Sequence, residues 1–118
     1  MKVGTDIIEI DRFEKMSQDI NKLQTIFTDK EIKYFNKFAH KLEHIAGTFA
    51  AKEAVVKAFK TGFSASIVPL DVEIIRTNGV PSVNLKNGAK EFFDSNFKQI
   101  DISISHNKTY ATAVCIVE

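Results

Sequence analysis

Residues 47–62, Gly-Thr-Phe-Ala-Ala-Lys-Glu-Ala-Val-Val-Lys-Ala-Phe-Lys-Thr-Gly, set a few charged side chains into a run otherwise made of alanine and apolar residues. The spacing predicts a long helix from about Leu42 to Lys60, carrying Ile45, Phe49, Ala51, Val55, Val56, Ala58 and Phe59 and stopped at Thr61-Gly62 by a C-terminal glycine. Glu53 and Lys57 stand one turn apart and share a face with Ala46 and Ala50. Alanines there let a bulky ligand approach while a carboxylate and an ammonium reach toward it. A phosphate with a divalent metal suits that pattern.

Upstream, Val3-Gly4-Thr5-Asp6-Ile7-Ile8-Glu9-Ile10 reads as a strand in which Asp6 shares a side with Ile8 and Ile10. An acid on an apolar side is costly to bury unless something pairs it. Two oxygen ligands from distant parts of a chain, completed by waters and substrate phosphates, are how proteins commonly hold Mg²⁺. Taken separately, each segment has a plainer reading: Glu53 and Lys57 as a surface ion pair worth roughly 0.3–0.5 kcal/mol, and Asp6 as a turn cap.

The rest of the chain frames these two segments. At 118 residues it is long enough for one core, and we read residues 1–118 as a single domain. A net charge of +1 gives no whole-molecule attraction to nucleic acid or to an anionic membrane, but residues 30–60 hold seven lysines against three glutamates. A basic middle suits a polyanionic small molecule or an acidic partner. The one cysteine, Cys115, lies in an apolar run and reads as a small packed hydrophobe. No long apolar stretch suggests a signal peptide or membrane span, so a cytoplasmic address is expected.

Around the long helix we expect a strand over Lys2–Ile10, with Asp11 capping a short helix that reaches about Ser17 and a further helical turn or loop to Phe27. Thr28-Asp29-Lys30-Glu31 has capping-box spacing and should open a helix to about Phe38. Asn78-Gly79 between Val72–Arg76 and Pro81–Leu85 signals a hairpin with a loop of two or more residues, and Asn87–Phe97 reads as a helix. Strands over Asp101–His106 and Tyr110–Glu118 close the chain. The order argues an α+β fold, with a largely antiparallel sheet packed against one long helix and shorter ones.

Taken in order, Asp6-Ile7-Ile8-Glu9-Ile10-Asp11-Arg12, Phe49-Ala50-Ala51-Lys52-Glu53-Ala54 with Lys57, Thr61-Gly62, and Ile104-Ser105-His106 resemble the holo-acyl-carrier-protein synthases. These are the small trimeric members of the 4′-phosphopantetheinyl transferase superfamily. The resemblance implies transfer of the phosphopantetheine arm of coenzyme A to a serine of apo-acyl carrier protein, in fatty acid biosynthesis, with release of adenosine 3′,5′-bisphosphate. It implies that Asp6 and Glu53 hold Mg²⁺ and that Glu53 and Lys57 are catalytic, Lys57 steadying charge on the transferred group. The base that takes the serine proton stays open between Glu53 and a water on the metal.

On the same footing, Lys41, Lys52, Lys57, Thr61, Gly62, Ser105 and His106 would bind coenzyme A, with Lys52, Lys41, His40 and His44 as the candidates for its 3′-phosphate and adenine end. Arg12, Lys15, Met16 and Lys22 would offer cations around one exposed apolar residue to the acidic helix of the carrier protein, although Asp11, Glu14 and Asp19 cancel their net charge. Members often carry arginine where this chain has Thr48. That phosphate contact is then either absent here or supplied by Lys41 or another lysine. A homotrimer with active sites between subunits is implied too, and Ile102, Ile104, Ala111, Ala113, Cys115 and Val117 alternate as if for a neighbouring chain to cover. The competing expectation is a non-catalytic domain that binds a nucleotide or an acidic protein through the basic middle. A metal-dependent nuclease is disfavoured, since there is neither a broad basic field nor an aromatic platform.

Overall fold

The computed structural model describes residues 1–118. Its centre is the expected long helix, Leu42–Phe59, with Ile45, Ala46, Ala50, Ala51, Ala54, Val55, Val56 and Ala58 all fully buried. A helix apolar around most of its circumference must be covered on several sides. Strand β1 (Lys2–Glu9) lies along one side, and its closeness depends on Gly4, where a Cβ would overlap the Ala54 carbonyl oxygen and the Ala58 nitrogen. The helix ends one residue earlier than its glycine signal suggests. Lys60 itself turns left-handed at φ 65°, and Gly62 takes a second positive φ of 65°.

Two short helices precede it, α1 (Ile20–Gln24) and α2 (Asp29–Phe35), so the long helix is α3. The predicted capping box opens α2: Glu31 N–H donates to Thr28 Oγ1 at 3.3 Å, and Thr28 N–H to Glu31 Oε1 at 2.9 Å. Asp11 does not cap a helix. Residues Ile10–Phe13 and Met16–Gln18 form 3₁₀ turns instead, and the cap of α1 is Asp19, which accepts from the N–H groups of Asn21 and Lys22. A 3₁₀ turn aligns positions i and i+3, which sends both Ile10 and Phe13 into the core. Helix α2 also stops at Phe35, short of the expected Phe38.

Strands β2 (Val72–Thr77) and β3 (Val80–Leu85) form the predicted hairpin. The loop is two residues, and Asn78 at φ 52° with Gly79 at φ 81° gives the doubly left-handed turn that matches strand twist. After α4 (Asn87–Asn96), strands β4 (Ile100–His106) and β5 (Tyr110–Val117) join β1 in an antiparallel sheet of order β1-β5-β4. Its register sets Asp6 opposite Ala113 and Ala113 opposite Ile104.

The fold class is as expected, but the face of the closing strands offered to a neighbour is not. Ile102, Ala111, Ala113, Cys115 and Val117 already lie in this chain's own core, against α3. Burial accordingly pushes the Cys115 thiol up to about 12. The uncovered apolar residues are on the opposite face of the sheet: Val3, Ile7, Tyr110 and Ile116 are 49%, 64%, 41% and 40% exposed. Alternation along a strand separates the two faces without saying which one the helix takes.

Candidate active site

Asp6 reaches from the middle of β1 to α3, where Lys57 Nζ donates to its Oδ1 at 3.0 Å. The plainer reading paired Lys57 with Glu53, one turn away, but the ammonium prefers the carboxylate 51 residues distant. Glu53 is left with neither a hydrogen bond nor an ion pair, beside Asp6, Lys57 and Arg12. Burial raises its carboxyl above the usual range and the charge of Asp6 raises it further, against the lowering effect of Lys57 and Arg12. Two acids that repel, one of them unpartnered, form a place that a divalent cation would relieve. Nowhere do three or more histidine, cysteine or acidic side chains converge. The donor set is a pair of hard oxygens, which fits an ion that takes its other ligands from water and phosphate.

An open depression of about 600 Å³ spreads from Asp6 and Lys57 over Thr5 and Ile7 to Ser103 and Ser105 of β4. Ser105 thus lines the same depression as Asp6 and Lys57. His106 ends β4 near the N-terminus of α3, with Nδ1 3.5 Å from Glu43 Oε2 and its ring 6.1 Å from that of His44. Lys41 precedes α3 and, with His40, lines a separate cavity of about 680 Å³ that also includes Asp11, Glu43 and Lys108. Thr61 and Gly62 follow the other end of α3, which at 18 residues is about 27 Å long. The expected coenzyme A set is therefore split between the two ends of one helix.

Lys52 does not belong to that set. Its side chain has no exposed surface, its ammonium lies 2.9 Å from Glu31 Oε1, and it donates to the carbonyls of Pro69 and Val72 at 2.8 Å each. Burial lowers its pKa and Glu31 pulls it back. Lys52 and Glu53 are neighbours in sequence, but a helix turns 100° per residue, so one faces the β2 side and the other the β1 side. Met16 is also not the exposed residue expected, because its 3₁₀ turn packs it half-buried against the core. Lys15 and Lys22 are exposed. Arg12 lies 5.6 Å from the ring centre of Phe49 and 5.8 Å from that of Phe13, near enough to Glu53 to act on its charge.

One residue escaped the sequence reading. Arg76 of β2 donates to Thr48 Oγ1 and covers the Tyr34 ring at 4.7 Å. A guanidinium thus stands beside Thr48, brought there by a strand residue 28 positions away. A signal was available: Arg76 is one of two arginines among 16 basic residues, and it falls in phase with the core positions Val72 and Ile74.

Comparison with known proteins bears on this geometry. A sequence model described as the 4′-phosphopantetheinyl transferase superfamily matches residues 2–115. A holo-[acyl-carrier-protein] synthase of Clostridium tetani is 46% identical, over 98% of this chain and 94% of the relative. One of Thermoanaerobacter sp. (strain X514) is 45% identical, over 97% and 84%. The holo-[acyl-carrier-protein] synthase of Helicobacter pylori, solved in complex with coenzyme A, superposes with a TM-score of 0.86 at 32% identity, covering 98% of this chain and 99% of that one. That of Bacillus anthracis, in complex with CoA (3′,5′-ADP), gives 0.81 at 31% identity, covering 98% and 94%.

Proposed function

The chain belongs to the 4′-phosphopantetheinyl transferase superfamily, and from that premise we propose how its site works as a holo-[acyl-carrier-protein] synthase. The reaction transfers the 4′-phosphopantetheine group of coenzyme A to a serine of apo-acyl carrier protein. The observation that carries the assignment to this site is the unpartnered Glu53 carboxylate beside Asp6, with Lys57 bound to the latter.

The serine oxygen attacks the phosphorus nearer the pantetheine, the bond to the adenosine-side phosphate breaks, and adenosine 3′,5′-bisphosphate leaves. Such transfer depends on positioning and charge neutralisation more than on covalent help. Asp6 and Glu53 would hold Mg²⁺, which when bound would offset the negative charge of the diphosphate and of the departing group. Lys57, half-exposed beside Asp6, keeps a positive charge at the mouth of the site for the transferred phosphoryl group. Glu53, which has no hydrogen-bond or ion-pair partner in the protein, is placed to take the serine proton. Incubation of apo-carrier protein with coenzyme A and Mg²⁺ tests the reaction: the carrier should gain the mass of one phosphopantetheine group. An unchanged carrier mass would favour a non-catalytic binding domain.

The assembly we propose is a homotrimer with the active site between subunits. Its support is the split of the coenzyme A candidates between the two ends of α3, together with the uncovered Val3, Ile7, Tyr110 and Ile116 on the outer sheet face. Sedimentation equilibrium should return the mass of three chains. A monomer mass at a concentration giving full activity would overturn the arrangement. Arg12, Lys15 and Lys22 remain the proposed landing site for the carrier protein. Arg12→Glu should raise the carrier KM several-fold with a much smaller effect on coenzyme A binding, and equal damage to both would assign Arg12 to the pocket. The proposed setting, cytoplasmic work in fatty acid biosynthesis, rests on the family reading alone; separately, no helix is long and apolar enough to cross a membrane.

A further inference from the structure

The chain holds two Asn-Gly pairs, Asn78-Gly79 and Asn87-Gly88, and the fold treats them differently. Both asparagines are left-handed, at φ 52° and 49°. Asn78 and Gly79 form the exposed tip of the β2–β3 hairpin, where the strand ladder closes at Thr77 opposite Val80. The peptide between them lies outside that ladder, and neither its N–H nor the Asn78 side chain makes a hydrogen bond. Space around Gly79 is open, with nothing within 4 Å of where a Cβ would stand.

Asn87 opens α4 instead. Its Nδ2 donates at 3.0 Å to Oδ1 of the buried Asp71, and the peptide that follows it belongs to the first turn of the helix. Gly88 is pressed against the segment before β2, since a Cβ there would overlap the Ser66 carbonyl oxygen. Side chain and backbone at this second pair cannot turn toward one another without breaking those contacts.

We propose that Asn78 is a self-modification site, converted in the folded protein by attack of the Gly79 nitrogen on its side-chain amide, while Asn87 is protected. Glycine has no side chain to obstruct that approach. The Gly79 nitrogen gives up its proton to water and bonds to Cγ of Asn78, the Cγ–Nδ2 bond breaks, and ammonia leaves with a proton returned by water. The five-membered imide that remains takes up one water. Opening on one side leaves an ordinary aspartate, and opening on the other leaves a main chain that runs through the side-chain carbonyl and is one carbon longer. One water is consumed and one ammonia released, with no change of oxidation state. A two-residue turn of this kind requires a left-handed residue at each central position, so the longer product cannot keep Thr77 paired with Val80. The strand it loosens is β2, which brings Arg76 to Thr48.

The test holds the folded protein warm at mildly alkaline pH and follows both pairs in tryptic peptides separated at mildly acidic pH. Cleavage after Arg76, Lys86 and Lys90 places Asn78 on peptide 77–86 and Asn87 on peptide 87–90. Peptide 77–86 should gain about 1 Da, located at residue 78 by fragmentation, and split into two chromatographic species. That conversion should run roughly tenfold faster than the one on peptide 87–90, a factor that one retained hydrogen bond supplies. In urea the two rates should come within about threefold of each other, because only the fold separates the pairs. Asn78→Asp carries the same new charge on an ordinary backbone, and it should melt above the longer-chain product. The inference is overturned if Asn78 stays intact in the folded protein while the unfolded chain converts, or if both pairs convert at one rate when folded. Equal melting of Asn78→Asp and the longer-chain product would overturn the predicted loss of the turn.

Discussion

Glu53→Ala and Asp6→Ala should each lower turnover by roughly 10²–10⁴-fold, as loss of an acid central to phosphoryl transfer does. The folded state should not suffer. Glu53 makes no side-chain hydrogen bond or ion pair that its removal would break, and its charge is disfavoured by burial and by Asp6, so Glu53→Ala should melt at or above the parent temperature. Asp6→Ala returns a half-exposed Lys57 to water at little cost. A chelator should reproduce the loss in the parent, and Mg²⁺ should restore it. Because burial and Asp6 raise the Glu53 carboxyl in the metal-free chain, protons compete with Mg²⁺ for it as pH falls, and the Mg²⁺ concentration needed for activity should rise on the acid side. Lys57→Ala should act mainly on kcat, by about 10²–10³-fold, with a smaller change in coenzyme A affinity. Near-parental activity of either acid variant in Mg²⁺ would refute the two-ligand site.

Lys52→Met should be the most damaging single substitution for stability, costing about 3–5 kcal/mol in urea unfolding. The methionine fills the space of the lysine stem, but leaves the Glu31 carboxyl without its ion-pair partner in a site with no exposed surface. The carbonyls of Pro69 and Val72 would also lose their donor. Glu31 continues to accept from the N–H groups of Thr28 and Ile74, which fix its place and prevent it from swinging to solvent. Replacing both charged residues by apolar ones should recover only part of the loss, since these backbone groups stay unpaired. A cost below about 1 kcal/mol for Lys52→Met would show that water reaches the pair.

What the sequence determined by itself was local or periodic. The small and apolar residues of 42–59 specified a buried helix, Thr28 and Glu31 specified the start of α2, and Asn78-Gly79 specified a tight hairpin. The ordered acids and lysines were legible too, because Asp6, Glu53 and Lys57 sit in short motifs whose spacing survives translation into structure. Tertiary structure decided which charges are free. Lys52 and Lys57 look alike on a helix wheel, yet one is consumed by Glu31, Pro69 and Val72 and the other meets Asp6. It also decided which sheet face stays open, and it brought Arg76 to Thr48. Those outcomes depend on partners 17 to 51 residues away. A side chain's burial and pairing are set by whichever distant segment packs against it, and no local pattern encodes that choice.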